Sequence, residues 1–268
     1  MIDTKKIAYS ICHVPSDSRS RMSAYDNANN NLAGIFDFFA VSTVHLKKME
    51  DYLEIQKKYN FVELKKHIHP KMLMFLDGTY YIIGDRGGGA YENVTFPMAL
   101  GEIGLFLSAY QTFKRFLETD YEYLIWMEDD VEILEDFEVK IKYYLKQIDF
   151  NFDVIALGAP DNQKGNYNPE LYEFGHKIFC RNFKMYSAES LLFSRAGIEK
   201  VIREIENNGF RYPFDWLVYN VRSESAESEL YDAYCIKPEY MDIINLHSSN
   251  KDSTIIATHY LEEDEYSN

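Results

Sequence analysis

Three consecutive carboxylates, Glu128-Asp129-Asp130, separate the apolar run Tyr123-Leu124-Ile125-Trp126-Met127 from a second one, Val131 to Leu134. The first run reads as a buried strand that stops at the acids. Burial disfavours each charge and each charge disfavours its neighbours, so a triplet placed there needs compensation. A divalent cation is one answer. Oxygen ligands favour a hard ion such as magnesium or manganese, which commonly bridges to substrate phosphates. The other answer is solvent, because a chain with 43 acidic residues produces such triplets by composition, and one at the mouth of a loop is simply hydrated. The placement after Met127 lifts the cation reading above chance, since strand-end loops of open α/β sheets carry ligands.

The elements that must hold this triplet follow from alternating apolar bursts and helical patterns, an α/β order. Lys6 to His13 predicts a strand and Ser18 to Asn31 a helix whose end the asparagines weaken. Phe36 to Thr43 predicts another strand, with helical spacing at Leu46, Met49, Leu53 and Tyr59. Asp77 to Val94 is aperiodic and contains the Gly87-Gly88-Gly89 run, without the Gly-Lys-Ser/Thr of a phosphate-binding P-loop. A broad apolar face at Ile103, Phe106, Leu107, Tyr110, Phe113 and Leu117 predicts a helix packed on a sheet. Helices follow over Glu135 to Gln147 and Arg195 to Asn207, and strands over Phe152 to Leu157, Ser190 to Ser194, Asp232 to Ile236 and Asp242 to Leu246.

Composition narrows the class of function. Twenty-eight basic against 43 acidic residues give a formal charge of −15 over 268 residues, which disfavours wrapping nucleic acid through phosphate neutralisation. A 46% hydrophobic content with 22 Tyr and 18 Phe supplies ample core. No Pro, Gly or Ser tract marks a linker, so one domain over residues 1–260 is expected, with an acidic, solvated tail at 261–268. Cys12, Cys180 and Cys235 are too scattered for a disulfide framework or a zinc site. Without a signal-peptide pattern or a membrane-length apolar window, the expected location is the cytoplasm.

Gly101-Glu102-Ile103-Gly104-Leu105-Phe106-Leu107-Ser108, followed by Tyr123 to Asp130, resembles the Gly-Glu-x-Gly-x-x-x-Ser and Glu-Asp-Asp motifs of glycosyltransferase family 25, which includes lipopolysaccharide glycosyltransferases and collagen galactosyltransferases. Ile7 to Met22 is similar to the family's first strand and Arg-containing turn, and Asp153 to Gly158 to a later strand. Leu191 to Ile202 is similar to its YLISRxGAxxLL segment, Tyr212-Pro213-Phe214-Asp215 to its Pro-x-Asp element, and Ile236 to Ile255 to its Ser-rich end. The resemblance spans residues 6 to 256, with Gly101 to Asp130 its specific part. Ala109 and Phe113 depart from the family's His and Trp, which puts the local acceptor contacts in question.

The resemblance implies a GT-A fold, a Rossmann-like mixed sheet flanked by helices, and an inverting glycosyl transfer from a nucleotide-diphosphate sugar, UDP-sugar foremost. The acceptor is then a hydroxyl of a glycan, a lipid-linked glycan or lipopolysaccharide, or a protein. Manganese or magnesium is the implied cofactor, bound by Glu128 and Asp130, with Asp129 orienting ribose or metal-bound water. His247 is the candidate third ligand, or else an ordinary surface or capping histidine, and Ser249, Asn250 and Lys251 are candidate diphosphate contacts. Arg19 and Arg21, whose forked donors suit phosphate or a base edge, have a solvated helix face as their alternative; Val14, Pro15 and Ser16 would border the base.

Inversion calls for a general base. Asp215 leads, with a helix N-cap as its competing role; Asp161 and Glu189 are the other candidates. Tyr80, Tyr81, Tyr91, Tyr167, Tyr172 and Tyr186 are either sugar platforms or packing residues, and the Gly87 to Gly89 run either a lid or a plain loop. Two readings of other classes stay open: an inactive glycosyltransferase-like binding module, against which the intact carboxylates argue, and a nucleic-acid-modifying sugar transferase.

Overall fold

The computed structural model describes residues 2–13, 19–39, 43, 83–84, 96–97, 100–158, 176–181, 189–208, 214–219, 230–237, 240 and 244–246. At 19–21, 83–84, 96–97, 100–103, 208, 216 and 244–246 the description is of backbone alone. In chain order the elements are β1 (Ile7–Cys12), α1 (Arg19–Ala33), β2 (Asp37–Phe38), β3 (Ile83–Gly84), β4 (Phe96–Pro97), α2 (Leu100–Phe116), β5 (Tyr123–Glu128) and β6 (Val131–Ile133). There follow α3 (Phe137–Gln147), β7 (Val154–Ala156), β8 (Phe179–Arg181), β9 (Ser190–Ser194), α4 (Arg195–Asn208), α5 (Phe214–Val218), β10 (Ala233–Ile236) and β11 (Ile244–Leu246).

Seven strands form one mixed sheet in the order β2-β1-β5-β9-β7-β10-β8. Here β1 runs parallel to β2 and β5, and β7 parallel to β10, while β9 and β8 are antiparallel to their neighbours. The α/β class and the Rossmann-like mixed sheet expected from the sequence are present, consistent with a GT-A-like fold. From β1 the chain goes to β2 on one side, and among the described residues the next strand joined to this sheet, β5, pairs on the other. The strand order therefore reverses between β1 and β5, where open α/β sheets leave a crevice at the strands' carboxyl ends. All six residues of β1 and the middle four of β5 are buried, which explains why these strands read as continuous apolar runs rather than alternating ones.

Helix α2 lays Phe106, Leu107, Ala109, Phe113 and Phe116 into the core and carries Lys114 and Arg115 in its last turn, where cations offset the helix dipole. The helix α1 continues two residues past its predicted end; Asn27 and Asn29 bond outward, and Asn31 donates back to the Asn27 carbonyl at 2.8 Å. Asn27 brackets β6, accepting from Ile133 N at 2.8 Å and donating to its carbonyl at 3.4 Å, and Tyr9 Oη donates to Asn29 Oδ1 at 2.8 Å. The predicted Phe36–Thr43 strand is recorded only at Asp37–Phe38, residues 40–42 lying outside the described set. Helical spacing over Leu46 to Tyr59, most of the 77–94 loop, the six tyrosines, Gly87 to Gly89 and the 261–268 tail lie outside it as well.

The junction between β9 and α4 shows what the Ser-Arg-x-Gly part of that segment does. Arg195 donates from its guanidinium to the carbonyls of Leu117, Thr119 and Tyr121 and lies over the Phe116 ring at 5.2 Å, supplying donors to the non-helical turn that links α2 to β5. Gly197 sits where a Cβ would fall 2.2 Å from the Asp153 carbonyl oxygen and 2.7 Å from its carbon. Both are backbone atoms and cannot swing aside. Gly197→Ala should therefore destabilise the fold by about 1–3 kcal/mol, the usual cost of overpacking, read as a lowered chemical-denaturation midpoint; an unchanged midpoint would mean that α4 is free to lift off β7.

Cys12, Cys180 and Cys235 are buried free thiols, the last two facing each other across β8 and β10 with sulfurs 3.2 Å apart. Among the described residues, no helix is long and apolar enough to cross a membrane.

Candidate active site

The parallel register of β1 and β5 sets Cys12 beside Glu128, and antiparallel β9 brings its first residue, Ser190, opposite Met127. Glu128 N donates to the Glu189 carbonyl at 2.9 Å. Three strand ends thus meet at the crevice, and the chain turns directly after Glu128 at Asp129 and Asp130, only 3% and 8% exposed. The triplet is therefore not a hydrated loop mouth; two of its members are as buried as core residues.

Below it lies an aromatic cluster. Phe113 of α2 packs on Trp126, Phe193 and Phe214 with ring centroids 6.0, 4.9 and 5.9 Å away, and Phe106 meets Phe214 at 5.6 Å. Phe214 opens α5, so its anchorage fixes the next residue, Asp215. That aspartate is the second residue of α5, inside its first turn and two residues beyond the N-cap position.

The consequence is electrostatic. Burial raises the Glu128 carboxyl well above its ordinary 4.5, and the negative charges of Asp130, Glu189, Asp129 and Asp215 raise it further. The same neighbourhood reaches Tyr219, which burial and then Asp215, Cys235 and Glu189 push well above 10. It also reaches Cys12, where burial and the charge of Glu128 lift the thiol to about 12 despite a hydrogen bond with Ser108. Five acids from three separate stretches of chain, Glu128 to Asp130, Glu189 and Asp215, converge here.

The predicted residues divide accordingly. Glu128, Asp129, Asp130, Glu189 and Asp215 share one neighbourhood. Val14, Pro15, Ser16, Asp161, His247, Ser249, Asn250 and Lys251 lie outside the described residues, and Arg19 and Arg21 are placed in the first turn of α1 by backbone only. Among the described residues, no group of three His, Cys, Asp or Glu side chains is assembled to hold a metal ion.

Phe113 and Ala109 are fully buried, so their departure from the family pattern alters the core under the site rather than a surface facing the acceptor. Ser108 of the motif is equally buried, donating to the Gly104 carbonyl at 2.7 Å. A residue that sequence reasoning missed is His13, directly after β1, whose Nδ1 is 2.9 Å from Asp129 Oδ2. The signal was a histidine at a strand's carboxyl end, one position before the predicted Val14 to Ser16 stretch.

At the opposite end of the sheet a cleft of about 440 Å³ is lined by Tyr123, Phe152, Asp153, Lys200 and Asp232, among others. Its carboxylates are partnered: Asp153 takes Lys200 as an ion pair and accepts from Asp232 N, and Asp232 pairs with Arg181. It holds the fold together and is remote from the acids.

Fold and site together define an α/β protein with a cluster of acids at the switch point of its sheet. Residues 89–211 match the model of glycosyltransferase family 25 (LPS biosynthesis protein), which bears out the resemblance over the block carrying the motifs and supports a glycosyltransferase as the class of enzyme. The solved structure titled "Crystal structure of a glycosyltransferase involved in the glycosylation of the major capsid of PBCV-1" aligns over 96% of this chain and 98% of its own, at 9% identity and a TM-score of 0.41. No curated protein gives a significant match.

Proposed function

We propose that the chain is an inverting, metal-dependent glycosyltransferase that moves a sugar from a nucleoside-diphosphate donor, UDP-sugar foremost, to a hydroxyl of a glycan, lipopolysaccharide or protein acceptor. The observation that carries this reading is the convergence of Glu128, Asp129, Asp130, Glu189 and Asp215 at the carboxyl ends of β1 and β5.

Carboxylate oxygens are the donors a hard divalent cation takes, and two of these acids, Asp129 and Asp130, are buried, although no three of the described side chains stand ready-assembled around an ion. The raised Glu128 shows the cost of assembling them unaided, a cost that a cation reverses. Glu128 and Asp130 would hold manganese or magnesium, which when bound offsets the negative charge developing on the departing diphosphate. Asp129 orients the ribose or bound water of the donor. Asp215, held by Phe214 on the rigid aromatic cluster, takes the proton of the acceptor hydroxyl as the new glycosidic bond forms on the face opposite the leaving group. The walls of Trp126, Phe113 and Phe214 underneath keep the neighbourhood low in dielectric, so each charge there acts strongly.

A donor-hydrolysis screen over common nucleotide sugars, run with manganese and with chelator, tests this. Slow metal-dependent hydrolysis of one donor, matched by metal-dependent binding of its nucleoside diphosphate in calorimetry, is the expected result. Failure of every nucleotide to bind with or without metal would instead describe an inert module of the same fold.

A further inference from the structure

Asp129 is the most buried acid of the triplet and has a specific partner far away in sequence. Because Cys12 and Glu128 are paired in parallel register, the next residues on the two strands, His13 and Asp129, emerge together, and Nδ1 of one meets Oδ2 of the other at 2.9 Å. Which atom donates in this contact is set by the tautomer of the ring; with a carboxylate as acceptor the donor is Nδ1–H. The imidazole is held in turn by Tyr25 of α1, their ring centroids 4.4 Å apart and planes 30° from parallel. Its side chain keeps 18% exposure.

We infer that His13 is a positioning residue for the donor half of the site: its Nδ1–H fixes the Asp129 carboxylate in one orientation, with Tyr25 as the backstop that fixes the ring. This rests on the glycosyl-transfer reading, in which Asp129 meets the donor. Without the tether, repulsion from Glu128 and Asp130 on either side would turn Asp129 away from them and from the ligand. The device couples α1, which also grips β6 through Asn27, to the acid motif of β5, so one helix registers both sides of the motif.

The test uses the full chain. Long-range ¹⁵N–¹H spectra of the imidazole should show Nδ1 protonated in wild type, and that signature should be lost in Asp129→Leu, which has no acceptor. Calorimetry with UDP and manganese, and kinetics with the donor found by hydrolysis, should then show His13→Ala and His13→Phe weakening UDP and raising donor KM about tenfold, the order seen when a residue supporting a site's ligand is removed. Loss in kcat should be much smaller.

The phenylalanine keeps the Tyr25 packing and lacks the donor, so a purely structural role would leave it near wild type. His13→Asn, whose amide N–H falls near the Nδ1 position, should recover most of the affinity, and His13→Gln should not. A neutral ring protonated on Nε2, or wild-type UDP affinity in both the alanine and phenylalanine variants, would overturn the inference while leaving glycosyl transfer intact. Wild-type protein that binds no nucleoside diphosphate would overturn the transfer reading and the donor role of His13 with it.

Discussion

Asp130→Ala is expected to lose about 10²–10³-fold or more of metal-dependent turnover, the scale of removing one electrostatic stabiliser from a transition state, while the metal-free protein melts at the same temperature or higher. The two halves of this expectation have one cause. Asp130 is 8% exposed and is the charged neighbour that raises Glu128 most, so without a cation its charge is expected to work against folding. With a cation it is a ligand.

The sign of the pH dependence follows. A carboxyl whose folded value is raised binds its proton more tightly in the folded than in the unfolded chain. Its contribution to stability is complete below the ordinary 4.5 and is lost as pH climbs through the raised value. Thermal melts of the chelated wild type should therefore decline from mildly acid towards neutral and alkaline pH, in the same direction as the self-repulsion of a chain with formal charge −15. Asp130→Ala should flatten that decline. Manganese should flatten it in wild type and do little for the variant. Full turnover in Asp130→Ala would remove the metal assignment, and a melting temperature several degrees lower would show that Asp130 is held by favourable contacts instead.

Much of this arrangement was legible in the sequence, for identifiable reasons. Strands β1, β5 and β9 are buried on both faces, so they appear as unbroken apolar runs with their bounds within a residue or two of those observed. The period of α4 is equally plain: Ile198, Val201, Ile202 and Ile205 are buried while Glu199, Arg203 and Glu206 face out. The triplet was readable because charge interrupts hydrophobicity at a strand end, and physics attaches a cost to that.

Pairing was not readable. Nothing local states that β9 enters antiparallel between β5 and β7, and that insertion is what delivers Glu189 to the acids. Strand β8 was missed because three residues, Phe179–Arg181, make too short a pattern and owe their state to antiparallel pairing with β10. His13 was passed over because a single histidine has no periodicity, and its partner lies 116 residues on. Phe113 shows the reverse error: a departure from a family motif invites a reading about substrate, whereas its ring fills the space between Trp126, Phe193 and Phe214.

The choice of general base turns on the same cluster. Asp215→Asn should lower kcat by about 10²–10⁴-fold, the usual contribution of a positioned base, while leaving UDP and manganese affinity nearly unchanged. Asparagine keeps the size of the side chain and the Phe214 anchor, so the short helix α5 stays in place; what disappears is the ability to accept a proton. Because Asp215 also contributes to raising Glu128 and Tyr219, its neutralisation relieves repulsion, and the metal-free variant should melt no lower than wild type. Loss of turnover can then not be ascribed to unfolding. Glu189→Gln is the informative comparison, since Glu189 shares the neighbourhood and its charge raises Glu128, but its backbone is tied through its own carbonyl to Glu128 N just before β9. It should lose less kcat than Asp215→Asn, and donor affinity should shift in step with the loss. If the order is reversed, with Glu189→Gln nearly dead at full donor affinity and Asp215→Asn active, the proton goes to Glu189 and the aspartate on α5 serves only to charge the crevice.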